Sequence, residues 1–574
     1  MSIHRHILAC ASALCALVAL YNFAPSLSAK IAPAPLAPAS GNVFGTVTCD
    51  GAPLADVVVS DGAVFTKTDS LGRYSLSSLK YYGSVFIITP SGYEPTCKKG
   101  VLPQFWAPLN NRKPTKPEQH DFTLRKVDNR RHRMIVSADM HLANRNEDLL
   151  QLKKIYIPAV QRVAEQAKRD TMAVYSIILG DLSVCGSWYS SEFDISDAIH
   201  TIATSGYPTP LYTVMGELDY DGAVAASPMT DYKAEQLYVR SCGPRFYSMN
   251  IGDVHYVVLD NTVFLNEPGD GKYPTEIVGK RNFDRRVSAD QLAWLRRDLS
   301  LVEDKQTPIV VCMHHNVFRT TTKGKLIKSL SRPEDTDSLV ACLRDFANVR
   351  FLTGHSHRRR VSVSKELPNI VEHNVSAASG NNWDSVFNGY PHICPDGTDA
   401  GFEVFSFDGR KLSWEFVSQQ NPQRTFRAYD MNSVGEYYRT NADVQNLVRN
   451  HTTRINYGAS SFAGYVYINY WGDEPKSKIE VFEGDKKLKV QRILQDDPLQ
   501  TNSSAVVRVH NARGRKITIS KNTAQHMFRV KPDSTNTTIR IRTIDPFGRT
   551  FEDSLVRPHP FPPQMQAAKQ RKRK

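Results

Sequence analysis

Val174-Tyr175-Ser176-Ile177-Ile178-Leu179-Gly180-Asp181 decides the reading of this chain: an apolar, β-branched run of strand length ends on a glycine and a carboxylate. The same arrangement recurs on both sides of it. Met134-Ile135-Val136 precedes Asp139-Met140-His141, Pro308-Ile309-Val310-Val311-Cys312-Met313 precedes His314-His315, and Val349-Arg350-Phe351-Leu352 precedes Gly354-His355-Ser356-His357. Each polar cluster therefore falls at the C-terminal end of a strand, where α/β sheets place their ligands. Between the strands, Leu149 to Lys168 and Ala289 to Leu299 carry apolar residues at helical spacing. A layered α/β core follows.

Carboxylates and imidazoles brought together in this way suit a pair of metal ions, because they supply anionic and neutral donors and one carboxylate can bridge both ions. One histidine among the 17 in the chain is ordinarily a surface or hydrogen-bonded residue. Ordered clusters, each after a strand, are not explained that way.

These clusters resemble the signature of the calcineurin-like metallophosphoesterases: D-x-H, then G-D, then G-N-H-D or G-N-H-E, then a histidine after a strand, then G-H-x-H. The resemblance covers roughly Arg133 to Trp414. It implies an α/β fold, a four-layer sandwich of two β-sheets flanked by helices. It further implies two divalent or mixed-valence ions (Mn, Zn or Fe). Asp139, His141, Asp181 and His357 would hold the first, and Asp181, Glu217, His314 and His355 the second, with His315 beside His314 lining the pocket. The activity implied is metal-dependent hydrolysis of a phosphate monoester or diester.

The chain departs from that pattern at one block. Leu211 to Gly216 leads into Glu217-Leu218-Asp219-Tyr220, so Glu217 stands where the family has an amide ligand and Leu218 where it has a histidine. A carboxylate oxygen can take an amide oxygen's place. Leucine cannot donate a proton, a role worth roughly 100- to 10,000-fold in rate. Either His315, His141 or Asp219 compensates, or the leaving group needs little protonation, or the site binds more than it turns over. On an extended segment Glu217 and Asp219 would share a face, leaving Asp219 as a candidate proton donor with Leu218 turned to the core. The alternative function is an exported metal-containing binding protein with weak or lost turnover.

The N-terminus reads as a secretory signal over 1–29: Arg5, an apolar run from Ile7 to Ala19, and Ser26-Leu27-Ser28-Ala29 before a cut. That run is too short to span a bilayer, and no later segment is apolar for long enough, so the expected location is exported, periplasmic or cell-surface/extracellular. Of the nine cysteines, Cys10 and Cys15 would leave with the signal. Cys49 and Cys97 are close enough in one β-rich segment to pair, and Cys312 reads as a small buried hydrophobe.

After a proline-rich linker over 30–41, residues 42–127 alternate as short strands and turns, a small β-sandwich that resembles carboxypeptidase-regulatory-like domains through Asp69-Ser70-Leu71-Gly72-Arg73-Tyr74. The phosphoesterase domain is expected over 131–418, closed by a hairpin turning at Asp408-Gly409. A C-terminal β-rich domain follows over 419–557, including strands at Ala505 to Val509 and Thr538 to Arg542, and a disordered basic tail over 558–574. This layout is similar to an exported bacterial subfamily with flanking β-domains. These domains would pack against or present the enzyme, with a cell-envelope or glycan surface as the alternative partner.

The net charge of +14, or +13 without the leader's Arg5, attracts anions without choosing among them. No aromatic and basic interleaving points to nucleic-acid recognition. Arg358-Arg359-Arg360 follows His357 directly, and at most one or two of these side chains can face one cavity. Arg358, Asn316, Tyr220 and Trp383 are the candidate substrate contacts, with Trp188, Tyr189, Asn381, Asn382 and Asp384 nearby.

Overall fold

The structure is a computed structural model that describes residues 41–269, 277–321, 325–380, 382–383, 393–419, 421–450, 456–506 and 522–561. The expected signal, most of the linker and most of the basic tail lie outside the described residues, as do Asn381 and Asp384.

Two sheets form the central layers. In the first, Leu211–Val214, Ala173–Leu179 and Arg131–Ser137 run parallel, and Gly401–Asp408 and Lys411–Ser418 continue it antiparallel as a hairpin. In the second, Val254–Val258, Ile309–Cys312, Val349–Thr353 and Ile370–Asn374 are parallel, with antiparallel edges at Tyr247–Ile251 and Arg360–Val363.

The strand alternation shows how the layers stack. Met134, Val136, Ile177 and Leu179 face the core shared with the second sheet, whereas Ile135 and Ile178 join Leu152, Tyr156, Val160, Ile199 and Ile202 of the helices outside. Residues two apart share a face, so one strand serves both cores. Helices Ala289–Ser300 and Pro333–Leu343 contribute Leu295, Leu299, Leu339 and Leu343 to the core of the second sheet. This is a four-layer α/β sandwich, two sheets flanked by helices, as the resemblance implied.

From Gly41 on the chain is one compact unit. The N-terminal β-domain joins the α/β core through Phe105 against Tyr247 at 4.7 Å and Phe86 against Trp294 at 6.2 Å. Beyond the hairpin, sheets built on Phe426–Asp430, Val466–Tyr470 and Thr523–Val530 and on Lys478–Glu483, Ile539–Ile544 and Thr550–Leu555 enclose Val466, Ile468, Val481, Val530 and Ile541.

The C-terminal region is β-rich, as expected, with helices Met431–Thr440 and Ala442–Asn450 inserted in it, the first capped by Asp430 accepting from Asn432 N and burying Met431, Val434 and Tyr438 on one side. Two expectations for the flanking regions need correction. The stretch expected as a strand from Ala505 begins inside a helical segment, Thr501–Val506, and its remainder lies outside the described residues. Cys49 and Cys97 are free thiols, as are Cys185, Cys242, Cys312, Cys342 and Cys394.

Candidate metal centre

Every ligand candidate sits just past a strand end, and the backbone there is unusual. Asp139 (φ 54°), His141 (50°), Asp181 (50°), His355 (63°) and His357 (52°) all occupy the left-handed region that non-glycine residues avoid. Such conformations cost on the order of 1–3 kcal/mol each and persist where surrounding structure over-determines them. Here it does so through cross-links between the loops. Asp139 N and His141 N donate to Gly180 O and Asp181 O, Gly354 N donates to His314 O, and His355 N donates to Asp139 Oδ1.

Two half-sites result. His357 Nε2 lies 3.5 Å from Asp139 Oδ1 and 3.2 Å from His141 Nε2. In the other half, His355 Nδ1 lies 2.8 Å from Glu217 Oε1, and His314 Nε2 approaches Glu217 Oε2 to 2.5 Å. Asp181 stands between them, with Oδ2 3.6 Å from His141 Nε2 and 3.5 Å from His314 Nε2. His314 donates its Nδ1–H to Leu179 O at 2.7 Å, and His357 Nδ1 faces Gly380 O at 3.2 Å. Both rings are thereby oriented with Nε2 toward the centre, the arrangement a metal-binding imidazole requires.

The donors fit metal ions on two grounds. Asp139 Oδ2 is buried without a hydrogen-bond partner, and Glu217 Oε2, His314 Nε2 and His355 Nδ1 meet only as close approaches within the cluster that form no hydrogen bond, where an unsatisfied buried group costs about 1–3 kcal/mol when nothing else binds it. The donor set is oxygen and nitrogen, suited to Zn, Mn or Fe.

Electrostatics point the same way. Burial raises Asp181 and the Glu217 carboxylate adds to it, so its carboxyl is pushed well above the usual range. Burial acts likewise on Glu217, but the imidazoles of His314, His355 and His315 outweigh it and hold that carboxyl well below. His314 is driven well above the usual histidine range, against burial, by Asp181 and Glu217. A cation at the centre would relieve the crowding of carboxylates that these shifts record.

His315 is fully buried and stacks on Phe283 at 5.0 Å, with Nε2 3.1 Å from Thr262 Oγ1 and 3.7 Å from Glu217 Oε2. It groups with Glu217, His314 and His355 as a further donor to the second half-site.

Five expected roles need correction. Asp219 lies on a 3-10 turn, Glu217–Asp219, so the two-residue alternation of a strand does not apply. Its buried carboxyl is pushed up to about 6 by burial and accepts from Ser183 N (2.9 Å), Gly216 N (3.1 Å), Leu182 N (3.2 Å) and Ser183 Oγ (3.1 Å). It ties two candidate ligand loops together from a fully buried position. Tyr220 is fully buried against Phe264, its hydroxyl donating to Asp260 Oδ2 at 2.8 Å. Trp383 is 1% exposed and donates Nε1–H to Met140 O. Asn316 donates to Thr353 Oγ1 at 2.9 Å from a buried position. Arg358 spends its guanidinium on Thr523 O (3.1 Å) and Asn522 Oδ1 (3.2 Å). Among the neighbouring candidates, Trp188 is buried on Ser183 Oγ, and the Tyr189 hydroxyl bonds Asp221.

Sequence reasoning missed Asn374, which donates to Gly354 O at 2.6 Å and bonds Ser356, bracing the His355–His357 loop. It also missed Phe283, which stacks on His315 and meets His355 edge-on at 6.3 Å. Neither carries a local signal, because each contact depends on distant segments meeting.

Family comparison agrees with this geometry. The family model described as "Calcineurin-like phosphoesterase" matches residues 132–359, and its N-terminal and C-terminal companions match 41–127 and 372–551. The chain belongs to the calcineurin-like phosphoesterase family. A curated relative, purple acid phosphatase 13 of Arabidopsis thaliana, is 23% identical over 213 residues, which span 34% of this chain and 35% of that protein. Among solved structures, a dimetal phosphatase from Danio rerio is 13% identical with TM-score 0.31, covering 50% of this chain and 97% of its own. The purple acid phosphatase PPD1 from yellow lupin (Lupinus luteus) is 13% identical with TM-score 0.31, covering 65% and 73%.

Proposed function

We propose that this calcineurin-like phosphoesterase is an exported protein that hydrolyses a phosphate monoester or diester at a dinuclear metal centre. The observation that carries the reading is the position of Asp181 Oδ2 between His141 Nε2 at 3.6 Å and His314 Nε2 at 3.5 Å. Asp139, His141, Asp181 and His357 would hold one ion, and Asp181, Glu217, His314 and His355 the other, with His315 alongside. Bound there, two divalent ions supply Lewis-acid activation of the phosphoryl group and of a water nucleophile.

The protein's own contribution is orientation. Leu179 O and Gly380 O aim the rings of His314 and His357, and Asp219 locks the Glu217 turn to the Asp181 loop. Phe283, packed on His315 and His355, gives one wall of the centre an apolar surface that limits water on that side.

Export rests on the apolar leader followed by small residues in the sequence. Among the described residues no helix is long and apolar enough to cross a membrane.

A second reading is favoured by Leu218, whose side chain packs on the core cluster beneath the first sheet and supplies no acid. Asp219 is held by backbone amides and His315 by stacking, so neither offers an evident replacement. On this reading the protein binds metal and ligand but turns over weakly. Hydrolysis of activated aryl phosphates, as monoesters and diesters across Mn, Zn, Fe, Co and Ni, decides between the two. Turnover with at least one metal supports the enzyme, whereas two bound ions with no turnover of any ester favour the binding protein.

A further inference from the structure

The three consecutive arginines after His357 leave the ligand loop in three directions. Arg358 bonds Thr523 O and Asn522 Oδ1 at the start of a C-terminal strand. Arg360 points its guanidinium at Thr320 O, 3.4 Å away. Between them Arg359, 4% exposed, places Nε 3.1 Å from Glu403 Oε1 in the catalytic sheet, bonds Glu474 in the C-terminal domain, and donates to Trp471 O at 2.5 Å. Its backbone N–H donates to Asp396 Oδ2 at 2.9 Å.

Asp396 is itself held by the C-terminal domain. His526 Nε2 lies 3.2 Å from Asp396 Oδ2, and Asn469 Nδ2 donates to Asp396 O at 3.0 Å. The next residue, Gly397 (φ +80°), runs so close that an added Cβ would lie 2.4 Å from Asn469 Nδ2. Both the side chain and the backbone of Arg359 thus tie the ligand loop to the C-terminal domain.

We propose that Arg358 and Arg359 form an interdomain clasp, not a phosphate reader, and that Arg359 is a positioning residue through which the C-terminal domain holds the His355–His357 loop in its ligand-bearing shape. The inference rests on the reading of this loop as part of a metal centre. His355 and His357 both sit at left-handed φ, so the loop needs bracing at each end. Asn374 braces Gly354 and Ser356, and Arg359 is the anchor two residues beyond His357. A lysine would keep the charge but not the fork that meets Glu403, Glu474 and Trp471 O together.

The test uses the full chain with Arg359→Lys, Arg359→Met and Glu474→Gln, and with Ile541→Val, in the C-terminal core away from the loop, as a control. Amide hydrogen exchange over residues 354–360 is measured on metal-free protein, and zinc affinity by competition with a chelating dye. The Arg359 variants are expected to exchange about tenfold faster in this loop and to bind zinc about tenfold more weakly, the scale of losing a group that orients a ligand. Glu474→Gln should shift both in the same direction, and Ile541→Val neither. Unchanged loop exchange and zinc affinity in folded Arg359→Lys and Glu474→Gln would overturn the clasp, as would equal changes in Ile541→Val. If Arg359→Met fails to fold, those two variants carry the comparison. Should the wild-type protein bind no zinc, the metal-centre reading fails, and loop exchange alone still decides the clasp.

Discussion

Leu218 donates its backbone N–H to Asp181 Oδ1 at 2.9 Å while its partly buried side chain packs against the core. One oxygen of the central carboxylate is thereby fixed, and Oδ2 is left to face His141 and His314. The residue standing where the family's pattern has a histidine contributes through its amide, which any residue but proline supplies. Its side chain is free to differ without disturbing the ligand geometry.

Asp181→Asn should lose metal from both half-sites, because an amide nitrogen cannot replace the anionic oxygen between them. Hydrolysis is expected to fall by roughly 1,000-fold or more, the scale of several kcal/mol of lost transition-state stabilisation. Metal analysis beside kinetics checks this, and full metal content with full rate would reject the central role of Asp181.

Leu218→His should discriminate between leaving groups. If proton donation is what the site lacks, alkyl phosphates gain on the order of 10- to 100-fold while activated aryl phosphates change little. Equal gains for both would show that the substitution acts on binding.

Gly180→Ala tests how tightly the loops are packed. Gly180 sits at φ +82°, and an added Cβ would lie 2.4 Å from His314 Nδ1 and 2.9 Å from Gly216 Cα. The variant should lose about 2 kcal/mol or more of stability and bind zinc at least about tenfold more weakly. Denaturant unfolding and metal competition measure the two effects, and wild-type values in both would show that the loops can yield.

His132 should make the fold acid-sensitive without reference to the metal centre. It is fully buried between Asn129 O and the Tyr256 hydroxyl, and burial, partly offset by that carbonyl, pushes its imidazole down to about 4. Between about pH 6.5 and 4 the unfolded ring binds a proton that the folded ring does not, so stability falls as pH drops through that window. The contribution lost is ~3 kcal/mol. His132→Gln should show a correspondingly flatter acid dependence in unfolding experiments, and an unchanged slope would assign the acid sensitivity elsewhere.

The clustering of carboxylates and imidazoles was legible because the chain writes it locally: an apolar strand followed by carboxylate or imidazole, as at Ile177-Ile178-Leu179-Gly180-Asp181. The substrate contacts were not. Tyr220 and Trp383 look like pocket residues in a string of letters, yet their polar atoms pair with Asp260 and Met140 O across 40 and 243 residues. The helix at Met431–Thr440 was readable in the spacing of Met431, Val434 and Tyr438, but aromatic and β-branched neighbours gave the region a β-like composition.

By itself the sequence determined the layered α/β core and which residues stand at its strand ends, since strand periodicity and donor chemistry are properties of short segments. Only the tertiary structure decided where the remaining side chains are spent. Arg358, Arg359 and Arg360 are adjacent and chemically identical, yet they bond Thr523, Glu474 and Thr320 respectively. Asp219, two residues from Glu217, is taken up by the amides of Leu182, Ser183 and Gly216. The physical reason is the same in both cases: a buried polar group must satisfy its hydrogen bonds, and its partners come from segments far apart in the chain, so the assignment exists only once the chain is folded.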